Sequence, residues 1–70
     1  MGMWTSTKAR RVLVALLRKG WVQKRQTGSH RLLACPGWPD FPFAFHDNEE
    51  IGPPMLARIA RRTGLTPNDL

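Results

Sequence analysis

The sequence predicts an α+β domain with a three-stranded antiparallel sheet, element order α-β-β-β-α, and both helices on one sheet face. Three observations predict it. A segment near each end carries apolar residues at helical spacing. The stretch between them lacks that stripe and reads as short extended segments. Glycines and prolines mark the boundaries. Seventy residues make one domain, 1–70. A chain this short buries only roughly 60% of its unfolded surface, so stability is modest.

Ala9 to Lys19 reads as the first helix, with Ala9, Val12, Leu13, Leu16 and Leu17 as the stripe facing the core. Thr5, Ser6 and Thr7 are candidate N-caps. Gly20 suits the left-handed position after the helix, and Trp21 packs back on Leu16. Trp21 to Thr27 reads as a strand, Gly28-Ser29 as a turn, and His30 to Cys35 as the second strand of a hairpin. Pro36 to Asp40 reads as a loop. Phe41 to His46 is a third strand with Phe41, Phe43 and Phe45 on one face, and Pro42 places it at an edge or a strand start.

Asp47 to Gly52 is an acidic loop. Pro53 or Pro54 opens the second helix. Met55, Leu56, Ile59 and Ala60 form its inner stripe, and Arg58, Arg61 and Arg62 its outer side. Gly64 ends it, with Leu65 reaching back. Thr66-Pro67-Asn68-Asp69 resembles an N-cap and a first turn. Burying every stripe at once puts both helices on one face of the sheet and leaves the other face open.

The net charge is +6. Met1 to Pro39 holds eight basic residues and no acidic one, and Asp40 to Glu50 four acidic and no basic one. Such a field suits a phosphate backbone or an acidic protein. No run approaches the roughly 18 apolar residues of a membrane span. No apolar signal segment opens the chain, so the expected location is the cytoplasm. Cys35 is the single cysteine, which excludes an internal disulfide and a Cys-rich metal site. It reads as a small buried apolar residue, because Leu-Leu-Ala-Cys-Pro offers no activating base. Neither metal-ligand spacing nor a phosphate-binding glycine loop is present, so no metal and no small-molecule cofactor is expected.

His30 stands in Thr27-Gly28-Ser29-His30-Arg31, near Lys24, Arg25 and Arg31. A histidine at a glycine turn amid cations can exchange a proton with a bound polyanion. Cutting RNA without a metal requires a base for the ribose 2′-hydroxyl, cations for the phosphate and an acid for the leaving oxygen. Spacing alone leaves His30 between that role and an ordinary strand-end histidine. Lys24, Arg25, Arg31 and the Gly28-Ser29 turn are the candidate RNA contacts. His46 is a possible accessory group or a loop anchor. Asp47, Glu49 and Glu50 read as solvating or helix-dipole groups rather than a catalytic pair. Trp38 is either a packing lid or a base-stacking platform.

Taken together, Leu16-Leu17-Arg18-Lys19-Gly20-Trp21, Gly28-Ser29-His30, and His46 with Glu50-Ile51 and Leu56 to Leu65 resemble the HicA-type toxins of prokaryotic toxin–antitoxin pairs. The resemblance runs from about Thr7 to Leu65. It implies a fold like a double-stranded-RNA-binding domain, ribosome-independent cleavage of messenger RNA, His30 as the catalytic residue, and a HicB-type antitoxin covering the active surface. Pro54-Met55 stands where the family usually has Gly-Thr, Arg31 follows the histidine, and the third strand is Phe-rich. The competing functions are a non-catalytic double-stranded-RNA-binding module and a DNA-binding protein. No base-reading recognition helix stands out for the latter.

Overall fold

The computed structural model describes residues 4–70. In chain order it holds β1 (Thr7–Lys8), α1 (Ala9–Arg18), β2 (Val22–Thr27), β3 (His30–Cys35), β4 (Trp38–Phe43), β5 (Glu50–Ile51), α2 (Pro53–Thr63) and a 3₁₀ turn, Pro67–Asp69. The antiparallel sheet runs β2-β3-β4, with β3 central and the other two as edges. The α-β-β-β-α order stands, and a small β1–β5 sheet is added to it.

One apolar cluster joins the layers. Ala9, Val12, Ala15 and Leu16 of α1 and Leu56 and Ile59 of α2 pack with Leu33 of β3 and Phe41 and Phe43 of β4. β2 contributes nothing to this core; all six of its residues are exposed. Its polar Gln-Lys-Arg-Gln run and a register shift between Gln23 and Arg25 account for that. The α1 stripe is narrower than its spacing suggested. Leu13 is half-buried and Leu17 exposed, because the contact covers only one side of the helix.

Both helix ends follow the chemistry of their glycines. Gly20 has φ 112°, its N–H donates to the Leu17 carbonyl, and the Trp21 N–H donates to the Leu16 carbonyl. That pair of bonds is a Schellman motif. It drops Trp21 into the core, where its indole N–H donates to the Thr63 carbonyl at 3.3 Å and ties the ends of the two helices together. Gly64 closes α2 at φ 78°.

Four further expectations are corrected. The first concerns the N-cap of α1, which none of Thr5, Ser6 and Thr7 supplies. Thr7 lies in β1, and the helix N–H groups of Ala9 and Arg10 donate to the carbonyls of Glu49 and Asp47. Second, the acidic loop is not wholly irregular, since Glu50 and Ile51 pair with Lys8 and Thr7. That pairing holds the loop's carbonyls over the helix start. Third, the Pro36–Asp40 loop shrinks to a Pro36-Gly37 turn, and β4 begins at Trp38, opposite Cys35. Proline followed by a glycine at φ 86° suits a type II turn and needs no further residues. Fourth, β4 ends at Phe43, so Phe45 lies beyond the strand. It stays half-buried by packing edge-on to Phe43 at 5.1 Å.

Candidate functional site

The β2–β3 hairpin sets the geometry of the site. Gly28 has φ 61° and Ser29 a negative φ, the pattern of a type II′ turn, whose twist suits a two-residue hairpin. The Gln26 side-chain amide donates to the Gly28 carbonyl at 3.0 Å and braces the turn. Thr27 is thereby set opposite His30, and Arg25 opposite Leu32.

Strand alternation then assigns the faces. Leu33 faces the helices and pairs with Phe41; Arg31, two residues away, pairs with Phe43 on the same face. His30 and Leu32 therefore point to the open face, with Thr27, Arg25 and Pro42 beside them. These residues line a shallow recess of about 200 Å³. The His30 side chain is exposed and accepts or donates no hydrogen bond among the described residues.

The sequence-predicted residues divide between two sides of the sheet. Arg25 stands beside His30 and forms no ion pair among the described residues. Lys24 reaches across β3 to Asp40 at 2.8 Å. Both partners are about half exposed, so the pair is worth at most about 1 kcal/mol, and an arriving phosphate can compete with Asp40 for the ammonium. Arg31 borders the recess but lies on the helix-packed face. Its side chain is 15% exposed, and its guanidinium pairs with Asp47 at 3.4 Å. His46 is exposed and stands apart, opening the acidic loop. Its backbone N–H donates to the Glu49 carboxylate at 3.1 Å, and its carbonyl accepts from the Glu49 backbone N–H.

Trp38 packs rather than projects. Its ring lies over Gly64 and 6.2 Å from Trp21. Cys35 is half-buried against the core. Among the described residues, no group of three His, Cys, Asp or Glu could hold a metal. Among the same residues, no helix is long and apolar enough to cross a membrane. Sequence reasoning missed Leu32 and Pro42 as the apolar walls of the recess. Alternation from Leu33 was the signal for Leu32; Pro42 needed the β3–β4 register.

A family described as HicA toxin of bacterial toxin-antitoxin matches residues 9–65, most of the chain. The chain belongs to the HicA toxin family. No curated protein matches it. As a HicA toxin it is the toxin component of a toxin–antitoxin pair, with an antitoxin as its partner. The matched span starts at the first residue of α1, runs through the hairpin that carries His30, and ends at Leu65, just past the Gly64 cap of α2.

Proposed function

We propose that this HicA toxin is an endoribonuclease that cuts messenger RNA without a metal, with His30 as the group that moves the proton. One observation carries the reading: an exposed imidazole on the open sheet face beside Arg25, where among the described residues neither side chain has a hydrogen-bond or ion-pair partner. Neutral imidazole takes the proton of a ribose 2′-hydroxyl. The 2′-oxygen attacks the adjacent phosphorus, and the bond to the 5′-oxygen breaks. The departing oxygen takes a proton from water and His30 gives its own back to solvent, leaving a 2′,3′-cyclic phosphate and a 5′-hydroxyl. Arg25 holds the phosphate oxygens as negative charge grows on them. Lys24 adds to the field once phosphate displaces Asp40.

The Gly28-Ser29 turn brings the backbone close to the RNA at the end of the recess, and Leu32 and Pro42 support the ribose or base. Arg31, turned to the other face, acts through Asp47 to hold the acidic loop; a direct phosphate contact requires that pair to break. His46 is a loop anchor. The setting is the cytoplasm, where messenger RNA is found, and a HicB-type antitoxin silences the enzyme by covering this face.

The test incubates wild type and His30→Ala with a long RNA in EDTA. Cleavage by wild type alone supports the mechanism. Cleavage by the variant at the wild-type rate rules it out. Intact RNA in both tubes, with duplex RNA still bound, points to the binding module instead.

A further inference from the structure

The outer side of α2 is chemically unlike the His30 face. Arg58, Arg61 and Arg62 are exposed, none is ion-paired among the described residues, and α2 itself carries no acidic residue. Arg58 and Arg62, one helical turn apart, overhang a groove of about 250 Å³ between α2 and β4, floored by Phe41, Phe45, Met55 and Ile59. A second groove of about 270 Å³ continues from Arg62 past Arg61 to Trp38. The one acid there, Asp40, already pairs with Lys24.

This chemistry narrows the occupant. Reading RNA bases takes hydrogen-bonding groups or open aromatic faces. The first groove has no side-chain hydrogen-bonding group apart from its two arginines, and neither of its phenylalanines offers an open face: Phe41 is buried and Phe45 is half-buried edge-on against Phe43. Strand addition along the β4 edge is blunted by Pro39 and Pro42, which have no N–H to offer. An amphipathic helix satisfies both halves of the site: its apolar face fills the floor, and flanking carboxylates meet the arginines. We propose that the β4–α2 groove is a docking site for an acidic amphipathic helix of the antitoxin. Pro42 walls both this groove and the His30 recess, so the docked helix lies directly beside the recess. The docking does not depend on what His30 does.

The test titrates the full-length, ¹⁵N-labelled chain with a synthetic amphipathic peptide of about four helical turns, leucine on one face and glutamate on the other. A control peptide carries lysine in place of glutamate. The expected result is that the glutamate peptide alone shifts the resonances of Phe41 to Phe45 and Met55 to Arg62. Arg58→Glu with Arg62→Glu then weakens binding about tenfold. Arg58→Gln with Arg62→Gln repeats the measurement without charge reversal, and spectral dispersion reports folding in each variant. Absence of binding, equal binding of the lysine peptide, or shifts centred on His30 would overturn the proposal. So would a short single-stranded RNA that shifts the groove resonances and displaces the peptide. None of these readouts involves cleavage, so failure here leaves the His30 mechanism standing, and the reverse holds too.

Discussion

Gly64→Ala tests the join between α2, β4 and the core. Gly64 has φ 78°, a left-handed conformation that costs a side-chain-bearing residue about 1–2 kcal/mol. Space adds to that cost. A Cβ at Gly64 would stand 3.0 Å from Trp38 Cζ2 and 3.3 Å from Cη2. Trp38 is 42% exposed, so its ring can swing outward, but only by loosening its contact with Trp21. An aromatic pair of this kind is worth about 0.5–1.5 kcal/mol, and a few tenths of an ångström forfeits part of it. The sum is about 2 kcal/mol, or a fall in Tm of roughly 8–16 °C for a domain of this size. Urea unfolding of wild type, Gly64→Ala, Trp38→Ala and the double variant separates the two costs. In the Trp38→Ala background the glycine substitution costs only its backbone part, about 1–2 kcal/mol. An equal cost in both backgrounds would refute the packing argument, and a cost under about 0.5 kcal/mol in wild type would refute both.

Leu16→Ala empties a fully buried site in the cluster that joins the layers. Its cost of about 2–5 kcal/mol approaches the whole stability of a small domain, so circular dichroism at 37 °C finds the variant largely unfolded. Arg25→Ala leaves the fold intact and weakens RNA binding across sequences. On single-stranded RNA the slope of log affinity against log salt falls in magnitude by about 0.7, and an unchanged slope removes Arg25 from the phosphate contacts. Asp69 accepts the Thr66 N–H at 2.7 Å and pairs with Lys19 at 3.1 Å, and these contacts, the Thr66 bond foremost, hold its carboxyl below the ordinary 3.8. A lowered folded pKa stabilises the fold above pH 3.8 and stops doing so as pH falls through the lower value. Asp69→Asn therefore melts earlier than wild type at neutral pH, and the gap closes in acid; a gap constant with pH would contradict this.

The local elements were largely legible in the sequence. Helical spacing, the glycines at 20 and 64 and the Gly28-Ser29 turn are short-range signals, because they arise within one turn of backbone. The candidate site was legible in part. His30 sits at the end of a hairpin strand, and its neighbour across the turn follows from chain order alone. Arg31 was not: adjacency in sequence placed it with His30, but alternation in a sheet sends neighbours to opposite faces, and only the packing of Leu33 against the helices shows which face is buried.

What only the tertiary structure decided is where distant backbone and charge meet. The α1 N-terminus is capped by carbonyls of Asp47 and Glu49, nearly forty residues away along the chain, because β5 pairs with β1 and carries the loop there. Two-residue strands have no periodicity to read. Lys24 with Asp40 and Arg31 with Asp47 pair through the sheet and the loop, which leaves Arg25 as the cation beside His30 that has no ion-pair partner among the described residues. By itself the sequence determined the helices, the hairpin and the basic field, since propensity, turn chemistry and charge belong to residues close in the chain. The folded chain decided which cations are free and which face is open, since ion pairs and burial depend on residues brought together from far apart.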